Sequence, residues 1–447
     1  MRNIISTVFL VMLAGTGIRS QEKTDTLFTL QGCIRFALEH NPSSTVYLNE
    51  AKIARQQARE TSSAYLPQIN GNVNSDDNLK RPTTIIPAGA FSPTELRLQM
   101  GSQYSTNASV QLEQTVFDRN MFYASSASKA SNAIADLNVE RNNEEIIYNT
   151  SLAYYQVLIA SEQAKLLAGN ERKYNELLAV LQLQYEKGTA KKIDYDRVRV
   201  SLNNIKSQQA LVEMNRTLAL NRLKNFMGLS LESGLVIRDS LNYNTEITMP
   251  VRTPVFDFHR MFDYRIQSQN IVLMDLNVRR QRAAFMPVLS FYARYGAQSY
   301  GNDFSESFNN WFDYSVIGLK LNVPVFSGMR RSSQLEQRKL ELINANLNMK
   351  ISEDNMRLRH LNAWTELMGT YTRLSMNREN LELARGVFEM TSVEYQAGTA
   401  PLSDFLNSEY SYKEAQTNYI TALLDFLSAR LEYERAQGTL TEYVNNI

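Results

Sequence analysis

Apolar positions along this chain change period four times, from about 3.6 to two and back, and then once more to two and back. From Tyr104 to Phe117 they alternate: Tyr104, Thr106, Ala108, Val110 and Leu112 face one way, and Ser105, Asn107, Ser109, Gln111 and Glu113 the other. The same alternation predicts strands after Pro287, with Leu289, Phe291, Ala293 and Tyr295 opposing Ser290, Tyr292 and Arg294, and over Trp311–Phe326, with Ile317, Leu319, Leu321 and Val323 opposing Gly318, Lys320 and Asn322. A fourth strand is predicted to begin at Pro67, followed by a loop over Ser75–Gly101.

Between the strands the period is helical. Prolines are absent from Phe117–Met249 and from Val325–Ala400, and proline breaks a helix interior, so those gaps can hold long helices. Tyr174, Leu178, Leu181 and Tyr185 fall at steps of four, three and four within a predicted helix over 118–187, which at 1.5 Å per residue is on the order of 100 Å long. A second long helix is predicted over Arg330–Gln396, where Leu335, Leu342, Met349, Met356 and Ala363 recur every seven residues, the spacing of coiled-coil packing. Shorter helices are predicted over Leu27–Ala64 with a break at Asn41-Pro42, Ile193–Met227, Asp257–Ala284 and Leu402–Gln437.

The two long helices end in the same turn. Tyr185, Gly188, Thr189, Ala190 and Asp194 are matched by Tyr395, Gly398, Thr399, Ala400 and Asp404, 210 residues further on, and Gly228 is matched by Gly438. Glycine ends a helix in the left-handed conformation without a steric penalty. Each turn therefore reads as the tip of a long helical hairpin, and the chain as a tandem duplication. The expected organisation is a signal peptide over 1–20, a first repeat over 21–228 (strands about 67–117, long helix about 118–187), a connector over 229–255 and a second repeat over 256–447 (strands about 287–326, long helix about 330–396).

Composition narrows the class. A net charge of +1 in 447 residues, with basic and acidic residues interleaved, points away from nucleic acid. Arg2 followed by the apolar run Ile4–Ala14 and the small residues Gly15, Gly17 and Ser20 has the form of a secretory signal. Beyond it no apolar run approaches the roughly 18 residues of a spanning helix. Cys33, the one cysteine, excludes an internal disulfide and is expected to be buried. His40, His259 and His360 have no carboxylate or cysteine at ligand spacing, no nucleophile elbow surrounds a serine, and phosphate-binding glycine loops are missing. No catalytic, cofactor or metal site is expected, and Met349 and Met356 are assigned to the helix seam.

Four alternating strands behind a secretory signal, with Tyr65, Phe117, Phe285 and Phe326 at the helix junctions and Tyr300, Trp311, Phe312 and Tyr314 towards the loops, suit an outer-membrane barrel. A half-buried soluble sheet would show the same alternation. Four strands cannot close, and an open edge cannot face lipid. Two copies would supply eight strands and almost no lumen, whereas three would supply twelve and a channel.

In this order and repetition the chain resembles the TolC-type outer-membrane efflux protein family. The resemblance rests on Ala37-Leu-Glu-His-Asn-Pro42, Tyr65-Leu-Pro67, Val116-Phe117, Val325-Phe326-Ser-Gly328 and the two Tyr-x-x-Gly-Thr-Ala turns. It implies a mainly α, α+β protomer whose duplicated hairpins form a trimeric α-helical tunnel in the periplasm, with four strands from each protomer in a 12-stranded transmembrane β-barrel. It further implies a passive export duct, not an enzyme, working with a periplasmic adaptor (membrane fusion protein) and an inner-membrane RND or ABC transporter. A type I protein secretion channel is the alternative, and a non-conducting envelope tether a further one. Asp404 and Asn407 match the periplasmic constriction, an amide replacing the second carboxylate. Asp194 and Tyr395 match one tip lock, and Ala400 stands where an arginine of a second lock is expected. Gly188, Thr189, Ala190, Gly398, Thr399 and Ala400 are the expected adaptor-docking turns, and Lys191 and Lys192 beside them are either docking residues or simply solvated.

Overall fold

Long proline-free runs become long helices, and the alternating runs pair into a sheet that keeps most of its surface uncovered. The computed structural model describes residues 27–86, 89, 93–94, 96–238 and 256–446. The expected signal peptide and most of the expected connector lie outside the described residues. In chain order the elements are β1 (Leu27–Phe28), α1 (Leu30–His40), α2 (Pro42–Ser63), β2 (Gln68–Asp77), β3 (Thr83–Ile86), β4 (Leu96–Gln99), β5 (Tyr104–Phe117), α3 (Arg119–Glu186), α4 (Lys192–Met227), β6 (Val236–Ile237), α5 (Phe262–Ala283), β7 (Val288–Gly301), β8 (Trp311–Asn322), α6 (Arg330–Gln396), α7 (Leu402–Gln437) and α8 (Leu440–Asn445), with short 3-10 turns at Phe258–Arg260 and Glu306–Phe308.

Four expectations need correction. The segment over Ser75–Gly101 is not a plain loop, because Thr83–Ile86 and Leu96–Gln99 pair antiparallel within it. Leu27–Phe28 pairs in parallel with Val236–Ile237, so the first helix starts only at Leu30. The helix expected from Asp257 opens as a 3-10 turn capped by the Asp257 carboxylate, and the α-helix begins at Phe262. The last strand stops at Asn322, before Pro324, which has no N–H for the ladder.

The described residues fall into two compact units. Those within Met1–Ala37 and Ala153–Thr245 make one, and those within Leu38–Leu152 and Glu246–Ile447 the other. In the first, Cys33, Val198, Leu223 and Met227 are fully buried. Phe28 packs edge-on against Phe36 at 5.8 Å, and Gln209 donates to Glu171 at 2.9 Å, tying α4 to α3.

The second unit contains the four-stranded sheet, ordered β2-β5-β7-β8 with every pair antiparallel, and the hairpin of α6 and α7. At 67 residues α6 is about 100 Å long. Along it His360, Leu367, Leu374, Leu381, Phe388 and Tyr395 recur every seven residues, and Met356 and Ala363 of the predicted stripe are buried beside them. On α7 Tyr419, Ile420, Leu423, Phe426 and Leu431 are buried in turn. Rings join the two helices along their length: Trp364–Tyr433 at 5.4 Å, Tyr371–Phe426 at 6.1 Å, Phe388–Tyr412 stacked at 5.4 Å and Tyr395–Phe405 stacked at 5.1 Å. His360 lies between the rings of Phe256 and Tyr433 and completes this packing.

Candidate functional site

The two helical turns close by the same bonds. Gly188 (φ 73°) and Gly398 (φ 78°) are left-handed, and the N–H of each bonds back to Tyr185 O at 2.9 Å and Tyr395 O at 3.0 Å. The Gln184 carbonyl accepts from Thr189 N at 2.9 Å, Ala190 N at 3.2 Å and Thr189 Oγ1 at 3.0 Å. The Glu394 carbonyl accepts from Thr399 N, Ala400 N and Thr399 Oγ1 at the same three distances. Both are Schellman closures with a threonine hydroxyl added, satisfying carbonyls that a helix end leaves over. The motif Gly-Thr-Ala therefore has a complete backbone explanation, whatever docks against it.

Side chains beyond the turns differ. Asp194 Oδ1 lies 3.9 Å from Arg197 NH1. Asp404 accepts from Ser403 Oγ at 3.1 Å and is exposed, as is Asn407 one turn later on the same helix face. Tyr395 is stacked on Phe405. Thus the two members of the expected lock, Asp194 and Tyr395, belong to different compact units, and each has a neighbour within its own. Just past Asn407, Glu409 is buried and its carboxylate meets Lys413 Nζ at 3.1 Å. The reading of the residues did not single out this pair, although its i,i+4 spacing was visible.

Register decides what the sheet can do. Residues paired across strands share a face, so Ile69 and Val73 of β2, Ala108, Val110 and Leu112 of β5, Leu289, Phe291, Ala293 and Tyr295 of β7, and Ile317, Leu319 and Leu321 of β8 all lie on one side. That side is bare: Val73 is 74% exposed, Ile317 73% and Leu319 67%. The band ends at Ser75, Thr106 and Ser299, where the turn at Glu306–Phe308 folds over it and Thr106 Oγ1 donates to Ser307 Oγ at 3.2 Å. Tyr104 and Phe304 (5.9 Å, edge-on) and Trp311, whose indole donates to Phe308 O at 2.9 Å, gather at this end.

The opposite side is mainly polar, carrying Asn70, Asn72, Asn74, Gln111, Glu113, Arg294, Gln298 and Lys320, with Phe312 and Val316 of β8 among them. Arg294 donates to Gln111 Oε1 through both Nε (3.1 Å) and NH2 (2.6 Å). Two tyrosines lie flat on it because glycines sit beneath them. A Cβ at Gly296 would come within 2.8 Å of the Tyr314 ring, and one at Gly318 within 2.7 Å of Tyr292. These glycine–tyrosine partners come from adjacent strands, and only the register reveals them.

The outer edges of β2 and β8 have no neighbour in the four-stranded order. On α6 a second stripe, away from the buried seam, leaves Leu340, Ile343, Leu347, Ile351, Leu358 and Leu361 exposed. Among the described residues no helix is long and apolar enough to cross a membrane, and no three His, Cys, Asp or Glu side chains are grouped to hold a metal ion.

Comparison with known proteins agrees with this arrangement. The sequence model of the family described as "Outer membrane efflux protein" matches residues 34–229 and 269–439, and the chain belongs to that family. The chain is 23% identical over 417 residues to "Alkaline protease secretion protein AprF" of Pseudomonas aeruginosa, covering 91% of this chain and 83% of the relative. It is 19% identical over 424 residues to "Outer membrane protein TolC" of Vibrio cholerae, covering 91% and 90%. The crystal structure of the Campylobacter jejuni CmeC outer membrane channel superposes with a TM-score of 0.75 at 15% identity, over 100% of this chain and 97% of that one. The fold is that of these channels, and the protein is an outer-membrane efflux protein with a mainly helical fold and a small antiparallel sheet.

Proposed function

We infer that three copies of this chain form a passive export duct in the outer membrane. The observation that carries the inference is a four-stranded sheet with two free edges, one exposed apolar face and one polar face. Joining β2 of one copy to β8 of the next satisfies both edges, turns the apolar face to lipid and encloses the polar face as a lumen. Twelve strands leave a channel where eight would be filled by side chains. Leu289 to Ala297 is nine residues, enough to cross the apolar layer when tilted. The exposed stripe of α6 supplies the seam by which neighbouring copies pack their helices into a tunnel. Such a duct has no catalytic step of its own.

Energy then has to come from elsewhere, which supports a periplasmic adaptor and an inner-membrane RND or ABC transporter as partners, with Gly188, Thr189, Ala190, Gly398, Thr399 and Ala400 in the docking turns. Asp404 and Asn407 form the constriction, and Asp194 and Tyr395 its lock. Small-molecule efflux is the cargo favoured by the family description. Protein secretion is the second reading, favoured by the similarity to an alkaline protease secretion protein. The repeats 21–228 and 256–447, joined by 229–255, are the units of duplication, supported by the matching bonds of the two turns.

Single-channel recording tests this. Purified protein in a planar bilayer should give a small cation-selective conductance, and Asp404→Ala should change both its size and its selectivity. Folded protein that mass measurement shows to be monomeric in detergent and that never conducts would overturn the duct.

A further inference from the structure

Where the sheet meets the helices, the chain is basic. Nine basic side chains (Arg55, Arg59, Arg119, Lys129, Arg279, Arg280, Arg282, Arg330 and Arg331) lie in the helical segments on this side of the sheet, against five acidic ones (Glu60, Asp118, Asp136, Asp275 and Glu336). The opposite end has the reverse bias, with Asp76, Asp77, Asp303, Glu306 and Asp313 against Lys80, Arg81 and Arg97. Among the described residues two of the nine cations have carboxylate partners, Arg55 with Asp136 and Arg279 with Asp275, each at 2.8 Å.

Three of these cations line a groove of about 440 Å³, formed by Arg119, Tyr123, Asp275, Arg279, Arg282 and Met286. It sits between the first turns of α3 and the last turns of α5, directly beyond the Phe117–Leu289 pair with which the apolar face begins. Arg119 NH2 donates to Tyr123 Oη at 3.3 Å and its guanidinium lies 5.8 Å from that ring. Arg280 is held by Asn120 at 3.0 Å. Exposed apolar side chains (Phe117, Phe122, Phe285 and Met286) adjoin the cations on the side of the sheet.

We propose that this groove binds the phosphate of an anionic phospholipid in the periplasmic leaflet of the outer membrane. The proposal rests on the barrel reading, since only then does the apolar face place hydrocarbon beside the groove. Guanidinium forks match phosphate oxygens in two-point geometry, and the flanking rings and Met286 suit the glycerol and upper acyl chain. Clusters of Arg and Lys at the rim of a membrane segment bind anionic headgroups in this way. Among the described residues two arginines of the groove, Arg119 and Arg282, have no carboxylate partner, so a headgroup phosphate completes the site. Bound lipid would tie the first turn of α3 to the last of α5 and hold the barrel level with the leaflet.

The test separates the two readings. Full-length protein is reconstituted into phosphatidylcholine vesicles and floated, which asks only whether it enters a bilayer. Lipid retention is then measured by native mass spectrometry, with phosphatidylglycerol and phosphatidylcholine offered in equal amounts. Wild type should retain phosphatidylglycerol preferentially, and Arg119→Gln/Arg279→Gln/Arg282→Gln should lower that preference on the order of tenfold or more, as expected for loss of three surface cations. The distant Lys80→Gln/Arg81→Gln/Arg97→Gln variant should keep it. Should the neutral variant fail to fold, loss of the wild-type preference in 1 M salt and its weakening in the Arg→Lys variant, which keeps the charge but not the fork, carry the same conclusion. Equal retention of both lipids by wild type would overturn the proposal, and so would displacement of phosphatidylglycerol by millimolar inorganic phosphate, which would assign the groove to the free ion. Failure to float in any vesicle would instead remove the barrel reading.

Discussion

Within one compact unit, the α6–α7 hairpin and the four-stranded sheet solve opposite problems. The hairpin buries its own seam: Leu367, Leu374, Ile420 and Leu431 are at most 2% exposed, and ring contacts run from Trp364 to Tyr395. The sheet half-buries its two central strands and leaves its outer strands bare. Every residue of β2 is exposed, and Ile317, Leu319 and Leu321 stand bare on β8. Identical physics, the removal of apolar surface from water, is completed inside the chain in one case and left for the surroundings in the other. A single copy thus contains a finished helical hairpin and an unfinished wall.

The contrast can be broken from either side. The largest loss is expected for Leu367→Ala, which empties a fully buried seam position and should cost about 2–5 kcal/mol, read as a lower Tm by circular dichroism at 222 nm. Next comes Leu319→Arg. It should cost about 2–4 kcal/mol in a bilayer, measured by denaturant titration of vesicle-inserted protein, and little in isolated protomers because the side chain meets nothing there. An equal cost in both settings would make the face a buried soluble interface.

A third experiment uses pH. Burial pushes the Glu144 carboxyl up to about 7, against the pull of Arg435 and Arg359 and with added repulsion from Asp263 and Glu432. Between the ordinary glutamate range and about 7 the folded protein holds a proton that the unfolded chain has released, so this group removes stability as pH rises through that window. Glu144→Gln should therefore raise Tm at pH 8 and leave it nearly unchanged at pH 4. A constant difference across that range would place the effect in packing and not in charge.

The smallest change concerns the hairpin's end. Gly398→Ala must take up a left-handed backbone with nothing within 4 Å of its new methyl, so strain alone should cost about 1–2 kcal/mol. Gly188→Ala should cost the same, because its turn has the same bonds.

Much of this molecule could be read from residue order. Absence of proline and a seven-residue recurrence located α6 to the residue, and Gly188, Gly228, Gly398 and Gly438 marked the helix stops, because both signals are local: one chain segment determines whether a helix can run and where it can end. Alternation likewise announced the strands. It did not reveal β3 and β4, whose four residues each are too short for a period to show. Nor could it align the strands with one another. That Val110, Ala293 and Ile317 share a bare face, that Tyr314 lies over Gly296, and that Arg119 and Arg282 line one groove are outcomes of pairing between segments far apart in the chain. Local periodicity determines which side of a strand is apolar, whereas only register, set by the folded sheet, decides whether those sides add up to one surface.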